Sequence, residues 1–330
     1  RRRRRAAGTA GLRRDALGGS SGGPAVTAPQ DLYVEPVFRP PGEANSLILQ
    51  VANGCSWNRC SYCEMYTAPA KSFSAKPLDA VAADLRLLAA MRQVQGSGGP
   101  PPRVFLADGD AMTLPVKRLR SILQLVRDSF PDVSRVSSYC LPRNLRGKSV
   151  EDLQSLRRLG LRTLYVGCES GDDEVLRRVR KGETRASSVE ALQKIRAAGL
   201  KSSVMILHGL GGRALSGQHA DGSAALVSAA QPDMLSTLVV SFPAGLQRHA
   251  ECFEDLPGGF QELGPGEVLA EMARFLGAVD VERTIFRSDH ASNYLALKGV
   301  LGRDRRRLLA EVQAAQRGAV ALRPEWARGL

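Results

Sequence analysis

The chain has 330 residues, 43% of them hydrophobic, with 46 Lys and Arg against 33 Asp and Glu, for a formal net charge of +13. That is enough apolar material for a large core, and it excludes a mini-protein held together by staples. No run approaches the roughly 18 consecutive apolar residues of a spanning helix, and six cysteines are too few for a disulfide scaffold, which favours a reduced compartment.

Residues 1–30 hold seven arginines (Arg1 to Arg5, Arg13 and Arg14) and one acid, Asp15, in a Gly-, Ala- and Ser-rich setting without apolar periodicity. Such a segment cannot bury enough surface to fold, and its composition is that of an organellar transit peptide. The expectation is a disordered basic leader and a chloroplast or mitochondrial address, or a cytoplasmic one if the leader is not a signal. The last thirty residues carry a further net +4, so the body between is close to balanced. The charge therefore gives no indication of a nucleic-acid partner, nor does anything point to a membrane partner.

From Asn45 onward the pattern is regular. Ser46–Val51 reads as a strand ending at Asn53-Gly54, and Lys76–Val94 as a helix with Leu78, Val81, Leu85, Leu88 and Met91 at helical spacing. The alternation continues with a strand over Arg103–Ala107, a helix over Pro115–Phe130, a strand over Arg135–Tyr139 and a helix over Ser149–Leu159. Thr163–Val166 is the fourth strand, followed by helices over Asp172–Arg180 and Ser187–Ala198. Lys201–Leu207 is the fifth strand, Ala220–Ala230 a helix, and Met234–Val240 the sixth strand. Six βα units of about 33 residues each predict an α/β fold with a parallel sheet, an incomplete six-fold TIM-like barrel over 45–242, since eight units would need about 250 residues. Residues 243–330 are predicted to be a C-terminal extension packed on the barrel, with helices over Glu267–Gly277 and Arg303–Gln316 and a strand over Thr284–Arg287.

The most informative stretch is Asn53-Gly-Cys55-Ser-Trp-Asn-Arg-Cys60-Ser-Tyr-Cys63. Three thiols lie within nine residues on the loop after the first strand, at the barrel face where such folds keep their chemistry. Three thiolates on one loop point to a soft metal or an iron–sulfur cluster. A structural zinc site would close with a fourth local Cys or His, yet the first histidine of the chain is His208. The bland alternative is three buried free thiols. Cys140 and Cys168 follow the third and fourth strands, toward the barrel mouth, and are read as packing residues, with a role toward substrate as the alternative; Cys252 has no partner in sequence.

This loop resembles that of the radical S-adenosylmethionine (radical SAM) superfamily, in which three cysteines hold a [4Fe-4S] cluster and the remaining iron chelates S-adenosylmethionine. Here the spacing is C-x4-C-x2-C rather than the common C-x3-C-x2-C, one residue longer at the first ligand. The resemblance implies Cys55, Cys60 and Cys63 as metal ligands and Tyr62 as an adenine contact. Ala107-Asp-Gly109-Asp110 resembles the family's Gly-Gly-Glu-type motif for the methionyl amino group, with Asp in place of Glu. Tyr165-Val-Gly-Cys-Glu169-Ser170-Gly171, followed by Leu176 and Lys181-Gly182, resembles the G-x-E-S-G run of the branch with methylthiotransferases, the Elongator catalytic subunit and oxygen-independent coproporphyrinogen oxidase. It implies Glu169 as the functional acid, with Glu169 and Ser170 facing the cofactor. A strand end capped by Ser170, Asp172 or Asp173 is the structural alternative. His208-Gly209-Leu-Gly211-Gly resembles the glycine-rich strand end beside the ligand, implying Gly209 and Gly211. The tail Phe286–Lys298 is similar to one found in members of this branch.

Together these motifs, spread over about 45–300, imply an enzyme that cleaves S-adenosylmethionine reductively to a 5′-deoxyadenosyl radical, which abstracts hydrogen from substrate. They also imply an electron donor such as ferredoxin or flavodoxin. The alternatives are a non-catalytic cluster-bearing scaffold or haem chaperone of the same fold and, further off, a zinc-bound nucleic-acid module.

Overall fold

The computed structural model describes residues 32–94 and 100–329. The basic leader, residues 1–30, lies outside the described residues. Strands β1 (Leu47–Gln50), β4 (Arg103–Ala107), β5 (Arg135–Cys140), β6 (Leu161–Glu169), β7 (Lys201–His208) and β8 (Met234–Val239) run parallel and in chain order in one sheet. Between β1 and β4, the two-residue strands β2 (Ala52–Asn53) and β3 (Ser74–Ala75) pair antiparallel and close off the cysteine loop at its base.

The helices follow the predicted apolar stripes. Helix α1 (Leu78–Val94) buries Val81, Leu85 and Leu88, and α2 (Val116–Ser129) buries Leu119, Ile122, Leu123 and Val126. Helix α3 (Val150–Arg158) starts at a capping box of Ser149 and Asp152, α4 (Asp173–Arg178) at Asp172, and α5 (Arg185–Ala197) at Thr184. Side chains alternate across the sheet as the pleat requires. Val104 and Leu106 of β4, and Leu164, Val166 and Cys168 of β6, join the helix-side core, whereas Phe105, Tyr139 and Tyr165 form a separate cluster on the other face. Those three rings stack edge-to-face at 5.0–6.3 Å. The Tyr165 hydroxyl donates to the buried Glu43 at 2.8 Å, so the segment before β1 closes one end of this inner face.

Three elements differ from the sequence expectation. Strand β6 extends to Glu169 because a bulge after Gly167 keeps it paired with β7. Helix α6 (Gly212–Ala230) begins eight residues before the predicted Ala220, its glycine- and serine-rich first half held by tertiary contact rather than by an apolar stripe. Further along α6, Gly222 lies against Gly171: a Cβ on Gly171 would stand 2.1 Å from the Gly222 carbonyl oxygen. The C-terminal segment contributes α7 (Gln247–Ala250), α8 (Pro265–Ala278) and α9 (Leu301–Gln316), and it also continues the sheet. Strand β9 (Ile285–Ser288) adds parallel to β8, and β10 (Leu297–Val300) adds antiparallel to β9, giving eight strands in an open order.

Candidate functional site

Cys55, Cys60 and Cys63 lie on the loop between β2 and β3, at the C-terminal edge of the sheet. The loop is clamped from both sides. Beneath it, the Asp108 carboxylate forms a fully buried ion pair with Lys71 and accepts from the Gly54 amide at 3.3 Å. Asp110, also fully buried, accepts from the Ser56 amide (2.7 Å), the Ser56 hydroxyl and Asn144 Nδ2 (2.9 Å). Gly109 between them meets the loop so closely that a Cβ would sit 2.8 Å from Cys55 Cβ. The Asp-Gly-Asp turn thus holds the first cysteine, and the Asp110 carboxylate is engaged by the loop itself. Above, Arg248 of α7 donates to the Cys60, Ser61 and Cys63 carbonyls, the last at 2.7 Å. His249 Nδ1 lies 2.9 Å from Ser61 Oγ. Trp57 is pinned by Arg143 over its ring (3.6 Å) and by the Arg180 carbonyl, which accepts from its indole NH at 2.8 Å.

Glu169 ends β6 in the left-handed region (φ 67°), a conformation unusual for a non-glycine residue, so its side chain is aimed by the bulge rather than by the pleat. It accepts from Lys181 Nζ at 3.1 Å, and the same ammonium donates to the Tyr62 hydroxyl at 3.3 Å. Lys181 is buried, and burial alone would lower its pKa; Glu169 and the Cys60 sulfur outweigh that and raise it. Two residues predicted for the site, Glu169 and Tyr62, are therefore joined beside the cysteines by Lys181, which the sequence offered only as part of the motif run. Ser170 turns elsewhere: its hydroxyl lies 2.8 Å from His219 Nδ1 and accepts from the Asp172 amide. The cap of α4 is Asp172 itself.

Gly209 (φ 83°) borders a cavity of about 300 Å³ at the ends of β7 and β8, with Phe242, Tyr294, Glu262, Glu325 and Arg328 among its walls. Gly211 lies deeper, against Leu215 and Val175. Cys140 and Cys168 are buried in the helix-side core and His208 is buried at the end of β7, whereas Phe242 faces the cavity.

The loop suits a multi-iron cluster better than a single ion. Tetrahedral zinc would need sulfurs roughly 3.8 Å apart. Among the described residues, however, the one group whose three ligand atoms lie within 4.8 Å of one another is His208, His219 and Glu271. Burial pushes the Cys55 thiol up to about 12, with Asp110 adding to it, and burial also raises Cys63. Ligand thiolates are thus unfavourable until cationic metal offsets the desolvation. Lys181, bound to Tyr62, and Arg248, bound to the loop carbonyls, would give a cluster held there a cationic surround.

A family model described as the radical SAM superfamily matches residues 49–214, from β1 to the start of α6. The chain belongs to the radical SAM superfamily. This is an enzyme family built on a [4Fe-4S] cluster and S-adenosylmethionine. Comparison with curated proteins by sequence returned no match. Among solved structures, the coproporphyrinogen III oxidase of Escherichia coli is similar over 70% of this chain and 52% of its own, at 18% identity and TM-score 0.52, which shows a shared fold. TsrM from Kitasatospora setae, a radical S-adenosylmethionine methyltransferase, is 19% identical over 58% of this chain and 34% of its own, TM-score 0.45. The Elp3 of Methanocaldococcus infernus is 14% identical over 84% of this chain and 64% of its own, TM-score 0.47. The chain therefore spans less than two thirds of the length of each.

Sequence reasoning missed the residues that hold the loop from outside the motifs. Lys71 reads as an ordinary surface lysine, and Arg248-His249 sits in a segment with no periodicity. A lysine eight residues after Cys63 and a buried acid after β4 carry no local signal that they pair.

Proposed function

We propose that this chain is a radical SAM enzyme in which Cys55, Cys60 and Cys63 hold the [4Fe-4S] cluster and the Glu169–Lys181–Tyr62 group faces S-adenosylmethionine. The observation that carries the reading is the convergence of those three side chains beside the cysteine loop. When bound, cluster and cofactor together supply one-electron cleavage of the sulfonium and hydrogen-atom abstraction from a substrate. The protein's own part is positioning. The Asp108, Asp110 and Arg248 contacts fix the loop before loading, so little rearrangement is needed at the moment of reaction. Lys181 orients the Glu169 carboxylate through their 3.1 Å contact, ready to accept from a cofactor hydroxyl or ammonium. Gly209 leaves the backbone at the end of β7 open toward the cavity, which we assign to substrate. A one-electron donor protein such as ferredoxin or flavodoxin completes the system.

The test is anaerobic iron–sulfur reconstitution followed by dithionite and S-adenosylmethionine. Formation of 5′-deoxyadenosine and methionine is expected, with loss in Cys60→Ala. An intact cluster that yields no 5′-deoxyadenosine sinks the enzymatic reading, and stoichiometric haem binding by that same protein would replace it with a chaperone.

A further inference from the structure

Outside the cysteine loop, a second donor set lies buried where β7, α6 and α8 meet. His208 ends β7, His219 lies in α6 and Glu271 in α8, exposed by 1%, 0% and 2%. We propose that these three residues bind one divalent transition-metal ion of the zinc type, independently of the iron–sulfur cluster.

Geometry is the first argument. His208 Nδ1 lies 3.0 Å and His219 Nε2 3.7 Å from the same carboxylate oxygen, Glu271 Oε1, and the three ligand atoms fall within 4.8 Å of one another. Two nitrogen or oxygen ligands on one tetrahedral zinc, each about 2.1 Å from the ion, stand roughly 3.4 Å apart. The two measured edges bracket that value, and the edge between the imidazoles is bounded at 4.8 Å, so an ion enters by replacing the His208–Glu271 hydrogen bond and drawing the two rings together.

The second argument is an unpartnered nitrogen. His219 Nε2 makes no hydrogen bond among the described residues, and 3.7 Å is too long for one to Glu271. His219 Nδ1 lies 2.8 Å from the Ser170 hydroxyl, which already accepts from the Asp172 amide. Metal binding selects the tautomer with the proton on Nδ1, donated to Ser170 Oγ, and this turns the Nε2 lone pair toward the carboxylate oxygen. Two buried acceptors facing each other repel, and a cation between them reverses the sign. Ligating imidazoles are commonly oriented in this way through their other nitrogen.

The donor set suits the same ion. Two imidazoles and a carboxylate match the ligands of zinc and leave a fourth position open. Glu271 is held in place by the Gly209 amide (2.8 Å) and the Ser216 hydroxyl (2.6 Å), so the carboxylate is fixed without the ion. Because Gly209 borders the cavity, the ion would tie α6 and α8 to the strand end that shapes it. A metal-free hydrogen-bonded hub on Glu271 is the other outcome.

The full chain and its Cys55→Ala/Cys60→Ala/Cys63→Ala variant are exposed to zinc, dialysed and analysed for metal. About one zinc per chain is expected in both, lost in His219→Gln and in Glu271→Gln. Ser170→Ala should weaken binding by about tenfold. Cobalt(II) added to the cysteine-free variant should give visible d–d bands without thiolate charge transfer. Zinc should also raise the melting temperature of that variant, a reading that needs no histidine substitution. Zinc content that follows the cysteines, or a folded cysteine-free chain with neither zinc nor a thermal shift, overturns the proposal. None of these readings depends on the cluster or on 5′-deoxyadenosine, so the proposal fails or stands apart from the proposed activity.

Discussion

Lys71→Met is the sharpest probe of how the cysteine loop is held. Lys71 and Asp108 form an ion pair with both side chains at 0% exposure, and Lys71 also donates to the Val34 carbonyl at 2.8 Å. Removing the ammonium leaves Asp108 buried among neutral groups, the Gly54 amide and Gln50 Nε2, both at 3.3 Å, and the Tyr66 hydroxyl. Breaking a buried pair on one side costs about 3–5 kcal/mol, because the remaining charge is uncompensated. For a chain of this size each kcal/mol moves the melting temperature by about 2–4 °C, so a drop of about 6–20 °C is expected. The assay is thermal unfolding by circular dichroism of the cluster-free protein, with urea midpoints as a check. Lys71→Met/Asp108→Leu, which removes both charges, should recover most of the loss. A single-variant cost below about 1 kcal/mol, the size of a surface pair, would refute the reasoning, as would additive losses in the double variant.

Three further outcomes follow from the site. Arg248→Ala removes the donor to three loop carbonyls, so less iron per chain after reconstitution and faster bleaching in air are expected; unchanged iron content and EPR signal would count against the clamp. Glu169→Gln should weaken S-adenosylmethionine binding by about tenfold or more, the loss of one charged hydrogen bond, with cluster content unchanged; calorimetry giving the wild-type affinity would remove Glu169 from the site. His249 is buried and its pKa is lowered from 6.5 to about 4, first by burial. The folded state then binds fewer protons than the unfolded state across that window. Stability should be full above pH 6.5 and fall toward pH 4 by up to about 3 kcal/mol. His249→Gln should flatten that slope, and equal slopes in both proteins would exclude His249 as its source.

Much of the fold is readable along the chain because each βα unit is a local pattern: a short apolar run, a punctuating Gly or Pro, and a helical stripe. Strand β4 falls where Arg103–Ala107 places it, and α3 starts at its predicted Ser149. What the pattern missed depends on neighbours. Gly167-Cys168-Glu169 has poor strand propensity, yet β7 holds it in the sheet through a bulge. Leu297–Val300 is a strand only because β9 lies beside it. The first half of α6 has no stripe, and it is helical where Arg213 meets Gln261 and Ser216 donates to Glu271.

The same division runs through the site. The nine residues from Cys55 to Cys63, with Glu169 and Lys181-Gly182 further on, were enough to point to the family, since ligand chemistry is fixed by residue type and short spacing. Only the folded chain decided that Asp110 is taken up by Ser56, that Ser170 serves His219, and that Arg248 from α7 grips the cysteine loop. It also brought His208, His219 and Glu271 together from three elements up to 63 residues apart. Spacing along the chain specifies what one loop can bind. Contacts between elements distant in sequence leave no periodic trace, so which acid, lysine or histidine meets which partner is settled by how the sheet and its helices pack.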